Sequence, residues 1–152
     1  MDFVFVDIDW TKVLFHLAYL AISYALALPI GVNRQASSRH FGLRTFPLVS
    51  VVSCGFMLTG MAVIGSTDGK ARVFQGIITG IGFIGGGAIF KGKDNLAGMA
   101  SAASLWNTGA IGLAVAFNRF EIAIVLSLLN VVTLSLIGRL KKSVDEFQES
   151  DE

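Results

Sequence analysis

Apolar residues fall into five runs of similar length: Val13–Val32, Phe46–Ile64, Ala71–Phe90, Gly98–Phe117 and Phe120–Gly138. Each is about 20 residues long, which is what an α-helix needs to cross a hydrocarbon core about 30 Å thick. The strands of an outer-membrane barrel would instead show alternation in segments of about ten residues, and the chain has none. The pattern predicts an all-α, polytopic integral membrane protein. A bundle of five transmembrane helices is expected over residues 1–140, followed by a short, charged cytoplasmic tail over 141–152 without regular structure. Only Asn118 and Arg119 separate the last two runs, so those helices are expected to be antiparallel neighbours.

At 100° per residue, each run has a polar or small face. Lys12, His16, Tyr19, Ser23, Ala27 and Arg34 align on the first, and Ser50, Ser53, Cys54 and Met57 on the second. On the third, Asp68, Arg72, Gln75, Thr79, Gly82 and Gly86 share a narrow sector, while Gly76, Gly80 and Gly87 form a second small face. Small residues let membrane helices approach backbone to backbone. Gly76, Gly80, Gly82, Gly85, Gly86 and Gly87, with Gly98 and Gly112 on the fourth run, are therefore the expected packing glycines, and the third helix is expected at the centre of the bundle. Gly98, Ser101, Ser104, Thr108 and Gly112 line one side of the fourth run, with Trp106 on the other. Ser127, Asn130, Thr133 and Ser135 of the fifth form no stripe.

Composition strengthens the membrane reading. The chain is 53% hydrophobic and 15% charged, whereas roughly a quarter of a soluble domain is charged. The net charge of +1 and the scattered Lys and Arg leave no nucleic-acid footprint. The lone Cys54 excludes an intrachain disulfide and is read as a small buried hydrophobe. Asp2, Asp7 and Asp9 near the start replace the basic region of a secretory signal, so the first run is expected to be retained as a span.

Lys and Arg near span ends set orientation. Arg34, Arg39, Arg44, Lys91, Lys93, Arg139, Lys141 and Lys142 lie on one side, and outnumber Lys12, Lys70, Arg72 and Arg119 on the other. This asymmetry predicts an N-terminus outside and a C-terminus in the cytoplasm.

Little chemistry is written in the motifs. Gly80, Gly82 and Gly85 spell G-x-G-x-x-G, but the run lacks a soluble βαβ setting, and Ser104-Leu105-Trp106 stands where an acidic residue is needed. There is no Walker motif, H-E-x-x-H or paired-cysteine site, so no enzyme activity, cofactor or metal site is expected. All the acids lie in tails, loops or span ends, with Asp68, Asp94 and Glu121 nearest the membrane. A Mg²⁺ path would call for carboxylates, which one chain alone would not place at mid-membrane, although an oligomer could assemble a ring of Asp68. Asp68 with Arg72 reads either as an exposed i,i+4 ion pair or, with Gln75, as a functional entrance to the glycine faces. His16 is either a proton relay or a shallow neutral histidine. Arg34, Arg39 and Arg44 either bind an anionic headgroup or phosphate, or simply set topology.

The residues resemble the membrane domain of the MgtC/SapB family. Pro29-Ile-Gly-Val-Asn-Arg-Gln35 is similar to its I-G-x-E-R-[EQ], Gly42-Leu-Arg-Thr45 to its G-L-R-T, and Asp68 with Arg72 to its D-x-x-R. Thr79-Gly-Ile-Gly-Phe-Ile-Gly-Gly-Gly87, Gly98 with Ala102-Ala-Ser-Leu-Trp106, and Ala110-Ile-Gly-Leu113 follow in the family's order. The resemblance implies five inner-membrane helices and a link to growth at low Mg²⁺ and survival in host cells. It also implies a regulatory activity, with inhibition of the membrane ATP synthase known for the type member. Asn33 departs from the family's Glu, which puts any role of that carboxylate in doubt. The chain ends at Glu152 and is expected to be a short, membrane-only member.

The resulting expectation is a regulatory or interaction role in Mg²⁺ homeostasis or stress, exerted through membrane-embedded helix contacts. The alternative is an oligomeric transporter of Mg²⁺, another cation or a small solute. Candidate functional residues are Asp68, Arg72, Gln75, Arg34, Arg44, Thr45 and Asn107. Expected partners are the lipid bilayer and a second copy or another membrane protein, ATP synthase among them by resemblance.

Overall fold

The structure, a computed structural model, describes residues 8–37, 42–90 and 95–149. Expectations resting on Asp2, Asp7, Arg39, Lys91, Lys93 and Asp94 lie outside these residues. The described residues are all-α, in five helices: α1 (Trp10–Ser37), α2 (Thr45–Val63), α3 (Thr67–Phe90), α4 (Asn95–Ala116) and α5 (Phe120–Glu149). Each contains or nearly contains one apolar run. Two of them, Trp10–Gln35 within α1 and Thr45–Val63, are long and apolar enough to cross a membrane, and Phe120–Leu136 is a shorter apolar stretch.

Local chemistry sets the helix ends. Asp9 starts α1, its Oδ1 accepting the backbone N–H groups of Thr11 at 3.0 Å and Lys12 at 3.3 Å, donors that a helix leaves unpaired. The Lys12 N–H is the main influence holding the Asp9 carboxyl below its usual range, against an opposing effect of desolvation and with help from the Lys12 side chain and the Thr11 N–H. Ser66 plays the same part for α3, its Oγ accepting the Gly69 N–H at 3.1 Å. At the end of α4, Asn118 N–H bonds Val115 O at 2.9 Å and Arg119 N–H bonds Ala114 O at 2.8 Å, the paired bonds of a Schellman cap. Asn118 sits there at φ 61°, a conformation that Asn tolerates better than most residues. That cap lets the chain reverse within the three residues Phe117, Asn118 and Arg119.

Cross-helix contacts give the direction of each helix. Arg34 meets Ser101 and Tyr19 meets Asn118, so α1 and α4 are antiparallel. Asn33 meets Ser135 and Ser127 meets Leu26, so α5 runs with α1. Among the described residues α4 packs against all four other helices, while α3 touches only α2 and α4. The centre is therefore α4, not α3 as the glycine density suggested. The reason lies in how the small residues are used. Gly98, Ser101, Ala102, Ser104, Thr108 and Gly112 are all buried, and Ile111 to Ala116 is buried on every side. A Cβ on Gly112 would meet the Ser50 carbonyl and would lie 3.1 Å from Cys54 N, so here α2 and α4 touch backbone to backbone.

The glycines of α3 divide. A Cβ on Gly85 would lie 3.5 Å from Ala102 O, in ordinary contact with α4, whereas Gly76, Gly80, Gly82, Gly86 and Gly87 have nothing within 4 Å. Among the described residues these five pack against nothing. The charged tail also differs from expectation, because α5 continues unbroken through residue 141 to Glu149.

The outer surface is apolar. Leu14 at 66%, Phe56 at 61%, Phe83 at 86% and Leu128 at 60% are among many large hydrophobic side chains left exposed. A soluble monomer rarely exposes contiguous apolar surface on this scale, and in a bilayer that surface faces lipid.

Candidate functional site

Among the described residues Arg34 is the most buried charged group. It lies near the end of α1 and is only 7% exposed. Its Nη2 donates to Ser101 Oγ on α4 at 2.8 Å, a charge-assisted bond that offsets part of the cost of removing a guanidinium from water. Beside it Asn33 Nδ2 donates to Ser135 Oγ on α5 at 2.9 Å. Gly42 and Leu43 pack tightly against this end of α1: a Cβ on Gly31 would lie 3.3 Å from Gly42 O and from Leu43 Cα. Arg34 and Asn33 thus tie α1 to α4 and α5 at the level where α1 meets the start of α2.

From there the polar contacts continue along the bundle. Ser104 Oγ donates to Asn130 Oδ1 at 3.2 Å, Asn107 Nδ2 to Leu126 O at 3.2 Å, and Ser127 Oγ to Leu26 O at 2.6 Å. On the α1–α2 side the hydroxyls of Ser23 and Ser50, both fully buried, share a 2.8 Å bond. At the far end Tyr19 OH donates to Asn118 Oδ1 at 3.1 Å. The interior is therefore a set of hydroxyls, amides and a guanidinium, most of them bonded across helices, while Thr108 and Ser53 turn back to carbonyls of their own helices.

The expected site residues separate into three places. Arg34 and half-buried Asn107 belong to this interior. Asp68, Arg72 and Gln75 are exposed on α3, at the end of the bundle opposite Arg34. The ion pairs among the described residues, Lys12–Asp9 and Arg119–Glu121, do not include Asp68 and Arg72. Arg44 is exposed, and half-buried Thr45 turns its N–H back to Gly42 O at 3.1 Å. The structure thus does not bring the D-x-x-R residues to the buried arginine. His16 is exposed and edge-on to Phe15, with ring centroids 5.7 Å apart, while Cys54 is fully buried, as a small hydrophobe would be.

Sequence reasoning missed Asn33, Ser127, Asn130 and Ser135 as structural donors and acceptors. Among the described residues no group of three or more His, Cys, Asp or Glu could hold a metal ion.

An all-helical chain with two spanning-length apolar helices, a lipid-like surface and a hydrogen-bonded polar interior defines a class, that of helical membrane proteins. The chain belongs to the MgtC family, whose model matches residues 20–143. It is 29% identical to the protein SrpB of Synechococcus elongatus over 147 residues, covering 88% of this chain and 79% of SrpB. It is 33% identical to YhiD of Escherichia coli K12, named as a candidate magnesium transporter, over 118 residues, covering 73% of this chain and 55% of YhiD. It is 38% identical to the protein MgtC of Brucella abortus (strain 2308) over 104 residues, covering 68% of this chain and 43% of that protein. The chain thus spans little more than half of YhiD and less than half of MgtC. No solved structure matches it. The family match and the apolar helices together make this a membrane protein.

Proposed function

We propose that the chain is a non-enzymatic inner-membrane protein of five spans, with its N-terminus outside and C-terminus cytoplasmic, that regulates another membrane complex in Mg²⁺ homeostasis or stress through helix-to-helix contact. The observation that carries this reading is the open glycine face of α3. Gly76 and Gly80 have nothing within 4 Å and form part of an apolar groove of about 700 Å³ between α2 and α3, with Val52, Phe56 and Ile84 along its sides. Small residues facing open space in a membrane are a place where a second helix can reach the backbone. The regular alternation of helix direction supports five spans, and the charge asymmetry supports the orientation.

The interior favours regulation over transport. Its buried charge is the positive Arg34, and a guanidinium held among hydroxyls opposes the passage of a divalent cation through the bundle. A second reading rests on the exposure of Asp68, Arg72 and Gln75, which association of several chains would bring together as an oligomeric pore. The name of YhiD favours it. By family resemblance the ATP synthase is one partner to test.

The test is affinity capture from membranes of the intact protein and of Gly80→Leu, whose added side chain fills open space. A partner complex or second copy captured with the intact protein should be lost with Gly80→Leu while the variant keeps its helicity. Equal capture by both would remove the glycine face from the mechanism.

A further inference from the structure

A second groove lies on the other side of α3. Among the described residues α3 makes no contact with α5, although both pack on α4. The gap between them is an open trough of about 770 Å³ with α4 as its floor, within the roughly 300–1,000 Å³ of small-molecule sites. Its walls are apolar, with Phe74 and Ile78 from α3, Trp106 and Phe117 from the α4 side and Leu126 from α5. The charged groups lining it are Lys70, in the first turn of α3, and Arg119, in the α4–α5 turn, both at the same end. Arg119 has an exposed, loose pairing with Glu121 at 4.0 Å, so its charge remains available to a competing anion.

The dimensions select the occupant. From Thr67 to Ile81 the α3 wall measures about 21 Å at 1.5 Å per residue, and about 16 Å of it lies beyond the charge of Lys70, about half of a hydrocarbon core of about 30 Å. A partner helix would run the full thickness and overshoot the trough. A lipid tail of one leaflet would fit it, with the headgroup at the cationic end. We propose that this groove binds one anionic phospholipid, its acyl chain along Phe74, Ile78 and Trp106 and its headgroup between Lys70 and Arg119. The proposal rests on the membrane location and not on regulation or transport, so it stands or falls separately from the glycine face.

Trp106, 56% exposed, reports on the groove directly. In the full chain carrying Trp10→Phe it is the remaining tryptophan, and its fluorescence can be read in vesicles containing brominated phosphatidylglycerol or brominated phosphatidylcholine. The expected result is local enrichment of phosphatidylglycerol by roughly thirtyfold, the order two cations near an anionic headgroup provide. Lys70→Gln with Arg119→Gln should bring quenching down to the phosphatidylcholine level without loss of helicity. Ala71→Trp, read by tritium-labelled phosphatidylglycerol retained through purification, should release the lipid, since Ala71 is exposed at the mouth. Equal quenching by the two lipids, or undiminished enrichment in the doubly neutralised variant, overturns the proposal. So does shielding of Trp106 from both lipids with cross-linking to a second copy through this groove.

Discussion

The Arg34 guanidinium on α1 reaches Ser101 Oγ on α4 at 2.8 Å while both residues are buried. That bond joins the first helix to the central one, at a position where the sequence suggested a headgroup ligand or a topology signal. Ser101→Ala removes an acceptor from a buried cation. We expect a loss of about 1–2 kcal/mol, between the ~0.6 kcal/mol average for membrane hydrogen bonds and the ~1.5–3 kcal/mol for bonds to charged groups. Detergent unfolding followed by circular dichroism measures it, and a value near zero would show that the bond does not hold α1 to α4.

Gly112 and Gly82 make a matched pair. A Cβ on Gly112 would meet the Ser50 carbonyl and crowd Cys54 N, both backbone atoms that cannot move aside, whereas a Cβ on Gly82 meets nothing. Gly112→Ala should destabilise by about 1–3 kcal/mol, the usual range for overpacking, and Gly82→Ala should stay within about 0.5 kcal/mol. Thermal midpoints in the same detergent compare the two, and equal midpoints would contradict α4 as the backbone-contact helix.

Asn118 combines a left-handed backbone with a side-chain acceptor for Tyr19. Asn118→Ala should cost about 1–2 kcal/mol from the left-handed conformation alone. Asn118→Gly should recover that part while still lacking the bond to Tyr19. A glycine variant no more stable than the alanine variant would place the cost elsewhere.

Asp9 supplies a pH dependence. Its carboxyl titrates below the usual value because the Lys12 N–H, chiefly, bonds the ionised form. The capping contribution is therefore complete above the unfolded carboxylate's pKa and is lost as pH falls through the lowered folded value. Protection of the Thr11 and Lys12 amides, exchange taken relative to the intrinsic rate at each pH, should fall as the medium is acidified below pH about 4. Asp9→Asn, which keeps a capping oxygen, should flatten that profile.

Helix positions were legible because spanning length and apolarity are local properties, and so were three inner faces. Ser50, Ser53, Cys54 and Met57 are all buried on α2, as are Ser101, Ser104 and Thr108 on α4, with Trp106 turned outward as expected. On α1 the aligned face also points inward at Ser23, Ala27 and Arg34, but its outer members Lys12 and His16 are exposed. The polar residues of α5 were not legible as a face because two neighbours share them: Ser127 and Ser135 turn to α1, Asn130 to α4. The face of α3 was visible but its direction was not. Glycine packs as well against another chain as against its own, and nothing local separates the two cases. The sequence also could not distinguish Arg34 from Arg44, since burial of one and exposure of the other depend on how α4 crosses α1.

The central claim, regulation by helix contact and not ion passage, is tested most directly by Mg²⁺ entry into indicator-loaded liposomes containing the purified full chain. The account predicts entry no faster than in protein-free vesicles, for the intact protein and for Asp68→Asn alike. Mg²⁺ entry supported by the intact protein and abolished by Asp68→Asn would contradict it and establish the oligomeric transporter.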